Sequence, residues 1–309
     1  MSHDFIRKPP ALAVGRFTVV KLDPNGSPVP LTEFPNSVCG IVYISTLKSL
    51  LVCDKINSTI LMVDLKGSIS RWLSRPDIIE PYGICTNKRA DTVFIRTDIG
   101  DIVWEVQIPS LISGRVTGRR GSDFYRGLHE GSSCGSIQTN GTCCDSSNNV
   151  YLVSKAKHLV AVVRSSNTVE VAIGSGTRGC SMSVEATEMN LDSPCGVAYD
   201  FDGNGLILTD TGNSIIWLMK HDINRGFVPT IIGSPKSSRM SDGSFASSRF
   251  NAPTDVCCVA GKAFVIDDNG KAVRKIDLGL KTVSTIWRSE HPLRAISADN
   301  TENIFVTEE

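Results

Sequence analysis

The chain has few of the features that mark a membrane, nucleic-acid or secreted protein. It contains no run of about 18 apolar residues, so no segment is predicted to cross a membrane. Its 32 basic and 32 acidic side chains cancel, whereas a large nucleic-acid footprint needs a basic excess. Residues 1–10 lack the apolar core of a signal peptide. We therefore expect a cytoplasmic protein with no membrane insertion and no bound DNA.

The ten cysteines show no spacing typical of a metal site. None forms a C-x-x-C pair and none lies near a His-x-x-x-His pattern, which are the spacings typical of zinc ligands. Without an export signal, the cysteines are expected to be reduced thiols rather than disulfides. No cofactor is predicted.

What the sequence does contain is an internal repeat. The clearest copy spans residues 193–219, the next clearest spans 252–277, and a third spans 80–106. Weaker copies begin near residues 38, 141 and 292. Each copy has short runs that favour strands, separated by polar turns, and its second run commonly ends in an acidic residue. Four such runs in every stretch of about 40–60 residues are typical of the four-stranded blades of a β-propeller.

The two ends of the chain predict how the ring closes. The sixth copy stops after its second run, at residues 303–307. Two runs near the N-terminus, 16–22 and 28–31, belong to no copy of their own. Pairing them beside the C-terminal runs would complete a sixth blade and remove the open sheet edges that promote aggregation. The sequence therefore predicts an all-β fold, a single six-bladed propeller over residues 16–309 that follows an N-terminal extension of residues 1–15.

The repeats also resemble a known family. Pro194-Cys-Gly-Val-Ala-Tyr-Asp200, followed by Asp210-Thr-Gly-Asn213, is similar to the NHL repeat, whose usual form is P-x-G-V-A-V-D and then A-D-T-G-N. The sequence departs from that form at Asp255 and Arg294, which replace the usual glycine, and at Ser154, which replaces the usual aspartate. The resemblance covers almost the whole chain. It implies a six-bladed fold used mostly for binding protein or RNA, with a minority of enzymatic relatives.

Propeller topology sorts the loops between two faces. If the first strand of each blade runs from top to bottom, the connections between blades lie on top, as do the turns between second and third strands. Three connections are long, residues 120–140, 174–193 and 233–252. Loops longer than about 12–15 residues without structure of their own are usually functional or disordered. Because all three enter consecutive blades, we expect them to form one half of the top face and to bind the partner.

The first long connection carries a local basic patch. Four arginines lie within residues 115–126 of a chain that has no net charge. An arginine fork can bind a carboxylate or a phosphate through two hydrogen bonds. The alternative interpretation is a solvated loop without a ligand. The residues predicted to contact a partner are Arg115, Arg119, Arg120, Phe124, Tyr125, Arg126, Arg239 and Asp242.

One segment is similar to half of a calcium-binding loop. Asp200-Phe-Asp-Gly-Asn-Gly205 matches the first half, but the twelfth position is Thr211 instead of glutamate. The segment also falls where the repeat needs a hairpin turn, and Asp-Gly and Asn-Gly are common turn dipeptides. Asp200, Asp202 and Asn204 are therefore only weak metal candidates, and a turn is the favoured interpretation. The aspartate that recurs at the end of the second run is likewise interpreted as a turn cap.

Three cysteines share one repeat position. Cys85, Cys143 and Cys257 stand where the clearest copy has Ala198. Because a free cysteine behaves as a small apolar residue, we expect these three to pack near the crowded axis rather than to carry out redox chemistry.

Three functions are compatible with these features. A calcium-dependent lactonase-like hydrolase or lyase needs convergent acids from several blades, yet the first strands begin with a single acid, Asp255. No Gly-x-Ser-x-Gly nucleophile motif occurs. An RNA-binding propeller would stack bases on aromatic rings, and the basic patch has only Phe124 and Tyr125 nearby. We therefore expect a non-catalytic scaffold that binds protein partners, with the hydrolase or lyase and then RNA binding as the alternatives.

Overall fold

The strands of the protein form six antiparallel sheets, arranged as the blades of a ring. This arrangement confirms the predicted all-β, six-bladed propeller. The structure is a computed structural model, and it describes residues 17–97, 103–108, 110, 113–117, 141–166, 168–237 and 239–309. The predicted N-terminal extension, residues 1–15, lies outside that range.

The first two strands, β1 (Phe17–Leu22) and β2 (Pro28–Phe34), belong to the last blade. Blade 1 contains β3 (Val38–Ile44), β4 (Ser49–Asp54), β5 (Thr59–Asp64) and β6 (Ile69–Ser74). Blade 2 contains β7 (Pro81–Thr86), β8 (Thr92–Thr97), β9 (Val103–Gln107) and β10 (Ser113–Thr117). Blade 3 contains β11 (Thr142–Cys144), β12 (Val150–Ser154), β13 (Leu159–Val163) and β14 (Val169–Ile173).

The remaining blades follow the same order, with one addition. Blade 4 contains β15 (Pro194–Asp200), β16 (Gly205–Asp210), β17 (Ile215–Asp222) and β18 (Gly226–Ile232). Blade 5 contains β20 (Val256–Val259), β21 (Lys262–Asp267), β22 (Ala272–Asp277) and β23 (Thr282–Arg288), and β19 (Gly243–Ser244) pairs with β23 as a fifth strand. Blade 6 contains β24 (Leu293–Ala298) and β25 (Ile304–Glu308). Two short 3-10 helices are described, Ala186–Glu188 and Thr211–Asn213.

The ring closes through the strands at the two ends of the chain. β1 pairs antiparallel with β25, with Val19 opposite Thr307 and Val20 opposite Val306. The sheet order β2-β1-β25-β24 makes the N-terminal strands the outer half of blade 6. The predicted closure is therefore confirmed.

The hydrophobic core lies between the blades rather than at one centre. Every residue of β4 and β16 is buried, because the neighbouring blades cover both faces of each sheet. The outer strands β6 and β18 are largely exposed instead. One apolar cluster around Trp217 joins blades 3 and 4, and another around Phe250 joins blades 4 and 5.

Two of the three long connections have structure of their own. Residues 174–193 include a 3-10 helix and a bridge between Ser181 and Asn190. Residues 233–252 include β19, which extends blade 5. Each connection is held by apolar side chains that leave water completely, Met189 in the first and Phe250 in the second. Residues 120–140 lie outside the described part of the chain.

No helix within the described residues has the length and apolar character needed to cross a membrane.

Candidate functional site

The inner strands of the six blades place equivalent side chains around the axis of the ring. Strand register defines these positions, since each lies opposite the residue that corresponds to Leu208 of β16. The six side chains line a narrow neck with a volume of about 40 Å³. Five of the six are aliphatic, and the sixth is Thr142. The six residues are Ile41, Ile84, Thr142, Val197, Val256 and Ile296.

In each blade, one residue comes immediately before the neck-lining residue in the sequence, and in five blades that residue is small. At Gly141 an added Cβ would lie 2.2 Å from the carbonyl oxygen of Cys195 in the next blade, so the backbones are too close for a larger residue. The six positions hold Gly40, Gly83, Gly141, Gly196, Asp255 and Ala295.

The assignment of Arg294 to the glycine position was wrong. Ala295 occupies that position in blade 6, and the side chain of Arg294 is exposed and pairs with Glu309. Leu293 lies opposite Glu308 as Pro194 lies opposite Asp210 in blade 4, and the same register shift follows in both blades. Leu293, not Pro292, is therefore equivalent to Pro194, and aligning the sixth copy on its proline displaced it by one residue.

Asp255 places a buried carboxyl in the neck. One of its oxygens accepts the backbone N–H of Ile296 in blade 6, at 3.0 Å. Burial raises the pKa of Asp255 to about 7, and the backbone N–H groups of Ile296 and Val256 oppose that rise. The sequence had singled out this residue as the one acid at the strand entrances. In the structure it links two blades, and it would be largely protonated below neutral pH.

Below the neck the channel widens into a mouth of about 370 Å³. The mouth opens among the turns between first and second strands, on the face opposite the connections 174–193 and 233–252. Tyr43, Tyr199 and Phe201 contribute aromatic rings to it, and the Tyr199 and Phe201 rings meet edge to face at 5.0 Å. The ammonium of Lys88 lies 5.9 Å from the Phe201 ring centre. The sequence analysis missed this site, although Tyr43 and Tyr199 share one repeat position and could have indicated it.

The mouth also collects several cysteines. Cys85 and Cys143 are buried and Cys257 is partly buried, and all three line the cavity together with Cys144 and Cys258. Burial raises the pKa of the Cys85, Cys143 and Cys257 thiols well above their usual range. A protonated thiol is a weak nucleophile. The arrangement agrees with packing near the axis, which the sequence analysis had expected.

The aspartate that ends the second strand does more than cap a turn. In blade 4, Asp210 accepts the backbone N–H of Asp192, the side-chain amide of Asn213 at 2.8 Å and the indole N–H of Trp217 at 2.9 Å. Burial raises its pKa to about 6. In blade 5, Asp267 accepts the backbone N–H of Asn251 at 2.9 Å. Each of these carboxylates therefore ties the incoming connection to its blade.

The weak metal candidates form a hairpin turn. Asp200 accepts the backbone N–H of Asp202 at 3.2 Å, and Asn204 has a φ of 50° and accepts the hydroxyl of Tyr199. The same aspartate-to-asparagine turn recurs in blade 6, where Asp299 accepts from the backbone of Asn303 and from its side chain. Among the residues that the structure describes, no group of three or more His, Cys, Asp or Glu is placed to hold a metal ion.

The structure separates the residues predicted to contact a partner. Arg239 is exposed on the 233–252 connection. Asp242 accepts from Thr285 and from the guanidinium of Arg274, which is itself fully buried. Arg115 lies in β10 opposite Trp104. The others fall outside the described residues, and their role stays a prediction. They are Arg119, Arg120, Phe124, Tyr125 and Arg126.

Part of the chain is similar to curated proteins with NHL repeats. It is 34% identical over 93 residues to NHL repeat-containing protein 2 of Gallus gallus, and 32% identical over 96 residues to the same protein of Homo sapiens. Each match covers 30% of this chain, and the chain spans only 12% of the length of these relatives. No protein-family model matches the chain.

Solved structures with the same fold have unrelated functions. A chain of a nidogen/laminin complex is 13% identical with a TM-score of 0.62, covering 91% of this chain and 97% of its own. A streptogramin B lyase is 12% identical with a TM-score of 0.56, covering 94% and 87%. A gluconolactonase of Xanthomonas campestris is 12% identical with a TM-score of 0.58, covering 88% and 86%. At these identities the likeness shows the fold alone. The six blades show a β-propeller, and the matched segment supports the resemblance of its motifs to the NHL repeat.

Proposed function

We propose that this propeller is a non-catalytic platform that holds other proteins on its surface. The observation that carries the proposal is the closed neck of the axial channel. Its volume of about 40 Å³ admits water, whereas sites for organic ligands are usually several hundred Å³. The neck is therefore too small to hold an organic substrate beside Asp255, its one buried carboxyl among the described residues.

The polar groups around the axis serve the fold. Asp255 links blade 5 to blade 6 through the N–H of Ile296. The thiols of Cys85 and Cys143 are held protonated by burial, which makes them poor nucleophiles. Binding without chemistry then rests on the outer surface, where the two described long connections are ordered and present exposed side chains such as Arg239.

A hydrolase or lyase is the second candidate. A buried carboxyl with a pKa of about 7 has the acidity of a general acid or base at neutral pH. Propellers of the same fold include a lyase and a gluconolactonase. The closed neck and the hydrogen bond from Ile296 favour the platform over this candidate.

The test is purification of the tagged protein from the cells that express it, followed by mass spectrometry. Wild type is compared with Arg239→Glu and with a variant in which Arg119, Arg120 and Arg126 are replaced by alanine. A platform predicts stoichiometric protein partners that are lost or weakened in at least one variant. Deleting residues 233–252 is a poor test, because that connection buries Phe250 in the core.

A partner-free monomer would contradict the platform. The hydrolase or lyase would then predict a rise in the melting temperature on addition of calcium, because ligand binding stabilises the folded state. RNA binding would predict an affinity for single-stranded RNA that falls steeply with salt.

A further inference from the structure

The outer side of blade 4 carries an apolar groove. Met182 and Val184 from the 174–193 connection form one wall, and Val228 and Pro229 of β18 form the other. The groove has a volume of about 310 Å³, large enough for one bulky side chain. We call it the blade-4 groove, and its lining residues are Met182, Ser183, Val184, Arg225, Val228 and Pro229.

Exposed apolar surface is concentrated at this place. The structure describes ten exposed large hydrophobic residues, and three of them line the groove. Val184 is 75% exposed and Met182 is 54% exposed, although Met189 of the same connection is completely buried. Met182 and Val184 therefore lie outside the apolar core that buries Met189 of the same connection. Clustered exposed apolar residues of this kind mark interaction sites.

The groove is held open by the structure of its rim. The hydroxyl of Ser183 donates to Glu188 at 3.1 Å and accepts the backbone N–H of Glu185 at 3.3 Å. Behind this turn, the N–H of Gly174 donates to Ala186 and the N–H of Ser175 donates to Met189. These bonds hold the turn that carries Met182 and Val184 in place beside β18, with which it lines the groove.

A comparison with blade 5 indicates how the groove would be filled. In blade 5 the outer strand β23 is covered by β19, through pairs of Gly243 with Val283 and Ser244 with Thr282. Among the described strands, β18 pairs only with β17, and its outer edge is uncovered. Pro229 removes one backbone donor from β18, a feature that disfavours addition of another strand. An occupant of the groove is therefore held by its side chains rather than by a backbone ladder.

One charged residue lines the groove. The guanidinium of Arg225 has no carboxylate within 4.0 Å among the residues that the structure describes, whereas Arg164 and Arg178 nearby are each paired with an acid. An arginine at the border of an apolar surface binds a carboxylate through two charge-assisted hydrogen bonds.

We propose that the blade-4 groove binds an acidic peptide segment of a protein partner, with one bulky apolar side chain in the groove and a neighbouring carboxylate on Arg225. This inference rests on the proposed platform function and names the chemistry of its partner. The apolar anchor explains the exposure of Met182, Val184 and Val228, and the carboxylate complements Arg225, the charged residue that lines the groove.

The experiment is selection of a phage-displayed library of random 12-residue peptides on the full chain. Selected peptides are synthesised with a fluorophore and titrated by anisotropy against wild type, Val184→Asp and Arg225→Glu. Two controls match the changed residues: Leu280→Asp, at a side chain 76% exposed against 75% for Val184, and Arg71→Glu, on the exposed outer strand of blade 1. We expect peptides that pair a large apolar residue with Asp or Glu. Both groove variants should weaken binding at least tenfold, and both controls should stay within twofold of wild type.

Replacing the acidic residues of a selected peptide by Asn or Gln should weaken its binding to wild type but not further to Arg225→Glu. Peptides that bind both groove variants as tightly as wild type would overturn the proposal, and so would a library that yields no peptide. Circular dichroism of every variant excludes unfolding as the cause of a loss.

The two proposals fail in different ways. Partners captured equally by wild type and by the groove variants would leave the platform standing and remove the groove. If selected peptides need Val184 and Arg225 but the full chain captures no partner in its cells, the groove would stand and the platform would be removed.

Discussion

Blades 4 and 5 are adjacent copies of one repeat, and they use its key positions differently. The third strand carries Trp217 in blade 4 and Arg274 at the equivalent position in blade 5. In blade 4 the neutral indole donates to Asp210, and the outer edge of the sheet is open. In blade 5 the guanidinium donates to Asp267 at 2.8 Å.

The guanidinium of blade 5 also draws in the preceding connection. Arg274 donates to the carbonyl of Ser241 at 2.9 Å, to the carbonyl of Arg249 at 3.0 Å and to the carboxylate of Asp242 at 3.0 Å. Those contacts bring β19 onto the edge of β23. An indole has one N–H and cannot reach so many acceptors. Arg274 thus holds the 233–252 connection against blade 5 through contacts that Trp217 cannot make in blade 4.

The difference teaches which long connection is free to bind. Residues 233–252 are tied to blade 5 by β19 and Phe250, and among their described residues no large hydrophobic side chain is exposed; the exposed ones are polar or small, such as Lys236 and Arg239. Residues 174–193 are anchored by Met189 and Leu191 but leave Val184 and Met182 exposed. Length alone, which first suggested a function for both, does not distinguish them.

The largest effect should follow loss of the blade 5 guanidinium. Arg274→Ala leaves Asp267 buried without its cationic partner, and breaking a buried ion pair in this way costs about 3–5 kcal/mol. We expect the free energy of unfolding to fall by an amount near the upper end of that range, because the carbonyls of Ser241 and Arg249 lose their donor as well. Urea unfolding followed by circular dichroism measures the change. Arg288→Ala, which removes an exposed pair with Asp268, should change the free energy of unfolding by about 1 kcal/mol or less.

The glycine position of the two blades predicts a difference in pH dependence. Asp255 in blade 5, unlike Gly196 in blade 4, has a folded pKa of about 7 against an ordinary value of 3.8. Between these pH values the folded state binds more protons than the unfolded state, so stability falls as pH rises from about 4 to 7. Asp255→Asn keeps an acceptor for Ile296 and cannot ionise.

We therefore expect Asp255→Asn to match wild type near pH 4 and to be more stable at pH 8. At about 1.4 kcal/mol for each unit of pKa, the gain has an upper limit of about 4 kcal/mol. Melting temperatures from pH 4 to pH 8 measure it. A slope should persist in the variant up to about pH 6, because the pKa of Asp210 is also raised, to about 6. Identical profiles for variant and wild type would contradict a neutral carboxyl in the neck.

The next largest difference in stability is expected between a buried apolar side chain of one connection and an exposed one of the other. Phe250→Ala removes a completely buried ring from the cluster between blades 4 and 5, and we expect a loss of about 3 kcal/mol. Met182→Ala, in the exposed part of the other connection, should stay within about 0.5 kcal/mol of wild type. Chemical unfolding of the two variants under identical conditions gives the comparison. A similar loss in both would mean that the 174–193 connection is as closely packed as its neighbour.

The sequence was sufficient for the architecture and for the closure of the ring. The strand-forming run 16–22 belongs to no copy of the repeat, and the sixth copy ends at residues 303–307. Pairing these two runs gives the backbone of each a hydrogen-bonding partner. Register was harder to predict, because the proline of the sixth copy, Pro292, lies one residue before the position that Pro194 takes in blade 4. Leu293 takes that position instead, which puts Ala295, not Arg294, at the glycine position.

The packing of the long connections could not be predicted from the sequence, for a different reason. Met189, Leu191 and Phe250 are single apolar residues in polar segments, and no periodicity distinguishes an anchor of this kind from an exposed side chain. Met182 and Val184 have the same composition signal as Met189 and the opposite burial. The difference arises from tertiary packing against β14 and β18.

The smallest expected effect is also the one that isolates the blade-4 groove. Val184 is 75% exposed, so Val184→Asp removes no core contact and should change the free energy of unfolding by less than about 0.5 kcal/mol. The same change places a charge in an apolar groove and should weaken peptide binding there at least tenfold. Thermal unfolding and anisotropy on one preparation measure both quantities. A clear loss of stability would show that Val184 supports the fold, as Phe250 does, and the contrast between the two connections would then disappear.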